Sequence, residues 1–390
     1  DLSRLPSLSQ FDSKPIGGDF WAFHSAARLV AAGLPWGAYV AEMNTSAMAS
    51  VVTNVNSGTM VWGLYYPPTY LFVLWPFGFL PYYPALLAFF LMTLTVFLGG
   101  IWLLTRRPWL TILMLAFTGV VLNFVTGQNG LLTAGLFAIA LALMERHKNL
   151  SGFVIGLLSV KPQLGLLLPF ALLAGRERQV FKIAAITTLV LLGASLAAFS
   201  LVTWILWPEA SWRASTYLTN RIEIMFRMPS VLSTVRLSNA DWLLSYVSHG
   251  WLTKPQAAML LHFLVGAPVA GMVIYIWRRT ENMNLRGAGY AAGTLLITPF
   301  LYDYDQAWLA IPIVLLGLEA GRTGWWWPER FLLPIAMAWP LLVSRFPEVI
   351  HIQIGFLMPL LLVLLTFRRT RREPKNKGAD QTENALNQQT

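Results

Sequence analysis

Residues 183–206 read IAAITTLVLLGASLAAFSLVTWIL, and no charged side chain interrupts them. At about 1.5 Å per residue, a helix of this length can cross the roughly 30 Å of hydrocarbon in a lipid bilayer. A basic segment, from Arg176 to Lys182, stands immediately before the apolar run. Positive charge of this kind marks the cytoplasmic border of a transmembrane helix. The stretch therefore predicts a membrane span that begins on the cytoplasmic side.

The rest of the chain has the same character. Hydrophobic residues make up 56% of the 390 positions and charged residues only 12%, whereas a soluble domain carries about 25% charged residues. The 17 tryptophans and 12 tyrosines suit a protein with two water–lipid interfaces. We therefore predict an all-α integral membrane bundle of about eleven transmembrane or half-length helices. The apolar stretches lie at 84–104, 108–125, 130–145, 150–160, 164–174, 183–206, 256–277, 287–301, 306–318, 331–344 and 349–367.

Alternate connections between these stretches are basic, which sets the predicted orientation. The positive-inside rule places them in the cytoplasm, so we expect a multi-pass protein of the inner (plasma) membrane whose other connections face the periplasm or exterior. Because a chain of eleven crossings that ends inside must start outside, we also expect an upstream helix to be missing, which would make about twelve crossings. The basic connections are Arg106-Arg107, Arg146-His147-Lys148, Arg176 to Lys182, Arg278-Arg279 with Arg286, Arg322 with Arg330, and Arg368 to Arg372.

Five regions follow from this topology. The predicted regions are an extracytoplasmic N-terminal part with the first loop and interfacial helices at 1–83, a transmembrane bundle at 84–206, an extracytoplasmic loop at 207–254, C-terminal transmembrane helices at 255–367, and a disordered cytoplasmic tail at 368–390. The long loop carries more cations than an outer loop normally does, which indicates an anionic ligand, lipid headgroups, or a loop long enough to escape the rule. Its cations are Arg213, Arg221, Arg227, Arg236 and Lys254.

Two of the apolar stretches, 150–160 and 164–174, are too short to cross a bilayer independently. They meet at Lys161-Pro162-Gln163. Broken helices at membrane depth are tolerated only where protein or a water-filled cavity covers the exposed backbone. We therefore expect a cavity that opens outward at this break.

Composition and motifs exclude several classes of function. The net charge of +10 lies in the membrane topology, so we expect lipid contacts and no nucleic-acid partner. With no cysteine in the chain, there is no disulfide framework, thiol nucleophile or cysteine-based metal site. The sequence has no G-x-x-x-x-G-K-[ST], no dinucleotide fingerprint and no H-E-x-x-H. An activated substrate must therefore arrive on a carrier other than a nucleotide.

Asp19 and Lys161 each have a structural and a functional interpretation. Asp19 precedes a stretch of helical periodicity and could cap that helix, or it could act as a general base at the mouth of the cavity. Lys161 could extend its amine to the interface, or it could bind a phosphate between the two half-helices.

Two further pairs of polar residues have the same ambiguity. Gln128 and Asn129 could form a turn and cap between spans, or donate hydrogen bonds to sugar hydroxyls. Asp303 and Asp305 could be a helix cap and an interfacial residue. They could equally be a second base, an acceptor-binding pair or an ion site, because two carboxylates near lipid are energetically costly.

Several motifs occur together in an order that resembles glycosyltransferase family 87, polyprenol-phosphate-sugar-dependent mannosyltransferases of the GT-C class. The resemblance runs from about residue 17 to 310. The motifs are Gly18-Asp19-Phe20 followed by Ala26-Ala27, Tyr65-Tyr66-Pro67-Pro68, Gly127-Gln128-Asn129, and Gly156 through Lys161-Pro162-Gln163.

The resemblance implies an inverting transfer of a hexose, mannose by expectation, from a polyprenyl-phosphate carrier to a glycolipid or glycan acceptor. GT-C enzymes have a catalytic aspartate in the first extracytoplasmic loop, which corresponds to Asp19. Neither a metal nor a cofactor is expected. The donor phosphate and sugar would be bound by Lys161, aided by an outer-loop arginine, and by Gln163, Gln128, Asn129, Tyr65 and Tyr66. Asp303 and Asp305 would serve the acceptor or act as a second acid.

One departure from the family and two alternative functions remain. Mycobacterial members place a histidine near the donor phosphate late in the chain, and residues 302–305 contain none. A transporter or flippase of lipid-linked saccharides would share the cavity and the broken helices. A binding or scaffold component with degenerate catalysis is the third interpretation.

Overall fold

The computed structural model describes residues 17–50, 64–238 and 251–373. Helices make up 83% of this part of the chain, and it contains no strand, so the predicted all-α class is confirmed. The tail at 374–390, predicted to be disordered, lies outside the described residues, as do 1–16, 51–63 and 239–250.

The described helices are numbered in chain order. They are α1 (Phe20–Ala31), α2 (Ala41–Ala49), α3 (Leu71–Leu74), α4 (Tyr82–Thr105), α5 (Pro108–Leu113), α6 (Thr118–Thr126), α7 (Gly130–Met144), α8 (Lys148–Leu157), α9 (Pro162–Gly165), α10 (Leu168–Ala174), α11 (Arg178–Asn220), α12 (Ile222–Met225), α13 (Val231–Leu237), α14 (Lys254–Arg279), α15 (Met283–Ile297), α16 (Ala310–Thr323), α17 (Trp327–Ile350) and α18 (Leu357–Arg372). Short 3-10 helices occupy Pro35–Tyr39, Pro68–Tyr70, Trp75–Phe79, Met114–Ala116, Leu158–Val160 and Asp303–Leu309.

Every predicted apolar stretch overlaps one or more of these helices, but their lengths do not confirm eleven crossings. Within the described ranges, four helices are long and apolar enough to span a membrane, namely α4, α11, α14 and α17. The bent pair formed by 108–116 and 118–126 would be a fifth, with 54° between its halves. Helices such as α7, with 15 residues, are too short to cross about 30 Å when straight.

Helix α11 extends further than the apolar run predicted. Its backbone leaves helical geometry at Ser200, where φ is 73° and ψ is 158°, and then continues as helix to Asn220. The region predicted as an extracytoplasmic loop, 207–254, therefore begins as a continuation of this helix. Two short helices, α12 and α13, follow it, and α13 packs against α14.

Small residues allow the central helices to approach closely. Gly152 and Gly156 on α8 form a G-x-x-x-G face against α11. A Cβ atom added to Gly156 would lie 2.4 Å from Cβ of Thr187, and one added to Gly152 would lie 2.7 Å from Cβ of Ile183. Membrane helices associate through such small-residue faces because lipid supplies no hydrophobic driving force between them. This packing holds the first half-helix of the predicted break in place.

Ion pairs gather at the end of the bundle where the predicted cytoplasmic connections lie. Glu177, before α11, accepts from Lys148 Nζ at 2.9 Å and from Arg286 Nη1 at 3.4 Å. Arg369 on α18 pairs with the buried Glu329 at the start of α17. A second polar group forms where α1, α7, α9 and the turn after α15 meet, and it contains the residues singled out from the sequence.

Candidate active site

The turn after α6 brings the first described residues to the site. Gly127 ends α6 with φ +69°, a conformation that glycine adopts without a Cβ penalty. A Cβ atom there would lie 2.5 Å from Cβ of Phe20, so the absence of a side chain also lets α1 pack against the turn. The backbone N–H of Asp19 donates to the carbonyl of Thr126 at 3.0 Å. Asp19 is thereby fixed beside the Gly127-Gln128-Asn129 turn.

The carboxylate of Asp19 does not cap α1. No side-chain cap is formed at this helix start, which disfavours the structural interpretation of the residue. Instead, Oδ2 accepts from Gln128 Nε2 at 3.2 Å and from Arg227 Nη2 at 3.3 Å. Both donors come from segments remote in sequence, so the contacts gather a carboxylate, an amide and a guanidinium at one place.

Arg227 lies between α12 and α13 and bridges two carboxylates. Besides its contact with Asp19, its Nε and Nη2 reach the two oxygens of Asp303, each at 3.2 Å. Asp303 is 1% exposed and also accepts from Ser344 Oγ at 3.1 Å and from the backbone N–H of Tyr304 at 2.9 Å. Desolvation opposes the charge on Arg227, but the two carboxylates outweigh it and raise the pKa of the guanidinium well above its ordinary value.

Lys161 and Asp305 form a second, more deeply buried pair. Lys161 Nζ donates to Asp305 Oδ1 at 2.5 Å and lies 3.4 Å from Asn129 Oδ1. The ammonium also faces the rings of Tyr304, at 4.8 Å, and Tyr66, at 5.5 Å. Lys161 and Asp305 are each 1% exposed. The lysine therefore does not extend to the interface, and its charge is already matched by a carboxylate.

The break at Lys161 has a local cause. Pro162 has no N–H and disfavours helical geometry at the residue before it. Lys161 accordingly has φ −141° and ψ 74° between the 3-10 turn Leu158–Val160 and α9. Two short apolar helical segments, 148–160 and 162–174, therefore meet at this lysine.

Tyr66 joins the two ion-pair groups. Its hydroxyl lies 3.2 Å from Asn129 Oδ1 and 3.4 Å from Gln128 Oε1. The other tyrosine, Tyr65, is half-buried, and its carbonyl accepts from Trp207 Nε1 at 3.1 Å. Gln163 is half-buried at the start of α9, two positions beyond Lys161. Within the described part of the chain, its side chain is not hydrogen-bonded to the ion-pair groups.

Some buried polar atoms near Lys161 have no hydrogen-bond partner among the described residues. They are Asn129 Nδ2, the Tyr70 hydroxyl and Ser159 Oγ. Buried polar groups are nearly always satisfied in folded proteins. These atoms could therefore bind water or the hydroxyl groups of a ligand.

The sequence did not identify Arg227 as a member of the site or Asp305 as the partner of Lys161. The excess of arginines in the outer loop was the only signal for Arg227, and it did not distinguish this residue from four other cations. The structure brings together Asp19, Tyr66, Gln128, Asn129, Lys161, Asp303 and Asp305, and adds Arg227.

A comparison with protein-family models matches residues 64–299 to glycosyltransferase family 87. The match covers more than half of the chain and includes Tyr66, Gln128, Lys161 and Arg227, while Asp19 and the two late aspartates lie outside it. Searches of curated proteins and of solved structures give no match. The family match favours an enzyme over a transporter or scaffold. The chain belongs to glycosyltransferase family 87, and it is a glycosyltransferase.

Proposed function

We propose that this glycosyltransferase moves a hexose, mannose in the first instance, from a polyprenyl-phosphate carrier to a glycolipid or glycan acceptor. The reaction would invert the anomeric centre and take place at the extracytoplasmic face of the plasma membrane. The proposal rests on the contact between Asp19 Oδ2 and Arg227 Nη2, at 3.3 Å. A carboxylate beside an arginine whose side chain is partly exposed would supply both a base and a site for a phosphate.

In the proposed step, Asp19 takes the proton of the acceptor hydroxyl as its oxygen forms a bond with the anomeric carbon. The bond between that carbon and the phosphate oxygen breaks on the opposite face. Its electron pair leaves with the polyprenyl phosphate, whose negative charge increases. Arg227 stabilises that charge, as oriented cations do for a developing anion.

The hydrogen bonds around Asp19 indicate which oxygen would act as the base. Gln128 and Arg227 both donate to Oδ2, and no described residue donates to Oδ1. The two contacts fix the orientation of the carboxylate and leave Oδ1 available to the acceptor hydroxyl. Gln128 would therefore position the base in addition to lining the sugar site.

The sugar would bind near Tyr66 and Asn129. The Asn129 amide nitrogen is buried and makes no hydrogen bond in the described part of the chain, and we assign it a contact with a sugar hydroxyl. The Tyr66 hydroxyl, which contacts Asn129 and Gln128, would contact the same sugar, and Tyr65 borders the same segment. Gln163 remains a candidate only through its place in the Lys161-Pro162-Gln163 motif.

The phosphate-binding role first assigned to Lys161 fits Arg227 better. The Lys161 side chain is 2% exposed and paired with Asp305, whereas that of Arg227 is 32% exposed. A phosphate could reach Lys161 only by displacing Asp305 from a buried site, which would leave that carboxylate unpaired. We assign the Lys161–Asp305 pair to support of Asn129 and the surrounding tyrosines.

The direct test is a transfer assay with purified protein. Polyprenyl-phosphate-mannose and candidate glycolipid acceptors are incubated with it in detergent or nanodiscs, and the products are identified by mass spectrometry. Transfer with inversion, read from the anomeric configuration by NMR, is the expected result. Transfer from a nucleotide sugar, with none from the polyprenyl-phosphate donor, would refute the proposal.

A further inference from the structure

We propose that Arg227 is shared between Asp19 and the donor phosphate, so that binding of the donor draws the guanidinium away from Asp19. The inference rests on the proposed function, because it concerns the same site. It adds a coupling between the two substrates: the donor prepares the base for the acceptor.

The hydrogen bonds show which contact of Arg227 is fixed. Asp303 receives two of them, from Nε and Nη2, in a bidentate arrangement. Such paired contacts between a guanidinium and a carboxylate are strong and directional. Asp303 itself is buried and held by Ser344 and by the backbone of Tyr304. The edge of Arg227 that faces Asp303 is therefore anchored.

Of the two contacts of Arg227, the one with Asp19 is the weaker and can be replaced. It is a single hydrogen bond of 3.3 Å, longer than the usual range for nitrogen and oxygen. The Arg227 side chain is partly exposed, and its Nη1 donates to no residue in the described ranges. Nη1 and the second N–H of Nη2 are therefore the donors that an incoming anion would use.

Guanidinium geometry makes the two partners competitors. The group has five N–H donors in a plane. The N–H of Nε and one N–H of Nη2 point to Asp303, and the second N–H of Nη2 points to Asp19. A phosphate that binds bidentately at the free end needs one N–H from Nη1 and that same second N–H from Nη2. Binding of the phosphate thus replaces the contact with Asp19.

The exchange has a consequence for the order of binding. In the free protein, Asp19 is held by a cation. Once the phosphate has taken the shared N–H, Asp19 keeps only the amide of Gln128 on Oδ2, and its charge is no longer matched by a bound cation when Oδ1 receives an acceptor hydroxyl. The donor should therefore bind before a productive acceptor.

A double-mutant cycle tests the sharing without measuring transfer. The probe is undecaprenyl monophosphate, and its dissociation constant is measured in nanodiscs for Asp19→Asn, Arg227→Gln and the double variant. Asp19→Asn should tighten binding roughly three- to tenfold by removing the competing carboxylate. In the Arg227→Gln background, the same change should alter binding by less than about twofold.

Glu209→Gln is the matched control. Glu209 pairs with Arg213 at 2.6 Å on the exposed surface of α11, so neutralising it should leave probe binding within about twofold of the wild type. Tightening of equal size with and without Arg227 would indicate a general effect of charge and would overturn the inference. So would unchanged binding in Asp19→Asn.

The outcomes also separate this inference from the proposed function. If the wild type transfers mannose from its polyprenyl phosphate but the cycle shows no coupling, the sharing is refuted and the function stands. If the wild type neither binds the probe nor transfers sugar from the polyprenyl-phosphate donor, both are overturned.

Discussion

Removing the charge of Lys161 should destabilise the protein strongly, because it leaves the buried carboxylate of Asp305 without its cationic partner. In Lys161→Met, Asp305 would lose its partner at 2.5 Å while remaining 1% exposed. Breaking one side of a buried ion pair costs about 3–5 kcal/mol. The two aromatic contacts of the ammonium would be lost as well, so the upper part of this range is expected.

The measurement is the free energy of unfolding in detergent, with Lys148→Met as a matched control. Lys148 also pairs with a glutamate at 2.9 Å, but its side chain is 41% exposed. Its removal should therefore cost less than about 1 kcal/mol. The double variant Lys161→Met/Asp305→Asn should recover much of the lost stability, since no unpaired charge remains.

Two results would refute this reasoning. A loss of less than about 1 kcal/mol in Lys161→Met would show that Asp305 is not held in a dry site. A double variant no more stable than the single one would show that the unpaired charge of Asp305 is not what destabilises Lys161→Met. Loss of probe binding in Lys161→Met as large as that in Arg227→Gln, in folded protein, would restore the phosphate-binding role to the lysine.

Three further predictions concern the turn, the base and the topology. Gly127→Ala should lower the free energy of unfolding by about 1–3 kcal/mol because of its positive φ and the close approach of α1. Gly193→Ala, within α11 and with open space at the added Cβ, should leave the free energy of unfolding unchanged or raise it by up to about 1 kcal/mol. Gln128→Leu should lower kcat more than it weakens probe binding, because it releases Oδ2 of the base; an unchanged kcat would rule out the positioning role. A reporter fused after Arg372 should be cytoplasmic and one inserted near Ala240 extracytoplasmic, and finding both on one side would disprove the orientation.

Local patterns account for the parts of the fold that were predicted correctly. Apolar runs and the proline after Lys161 act on neighbouring residues, so the helices and the break could be read from composition and spacing. The number of membrane crossings was harder to predict, because the apolar length of a stretch does not reveal whether its helix is straight, is bent, or continues beyond the apolar residues. Helix α11, which runs on to Asn220 through a bend at Ser200, illustrates this limit.

The pairings within the site depend on contacts that sequence spacing does not encode. Lys161 and Asp305 are separated by 144 positions, and Asp19 and Arg227 by 208. Asp19, Lys161 and Asp305 could be singled out from the sequence, whereas Arg227 could not be distinguished from the other cations of the outer loop. Their partners could not be predicted, and the assignment of the phosphate to Lys161 followed from its position at the break between the two half-helices.

The role of Asp19 as general base is tested most directly by Asp19→Asn in the mannosyl transfer assay. Asparagine keeps the shape and can still accept from Gln128 and Arg227, but it cannot take a proton at neutral pH. Transfer should fall about 10²–10⁴-fold, while the variant remains folded and binds undecaprenyl monophosphate at least as tightly as the wild type. Near-normal turnover in Asp19→Asn, with collapse in Asp303→Asn or Asp305→Asn, would contradict this role and place the base on the turn before α16.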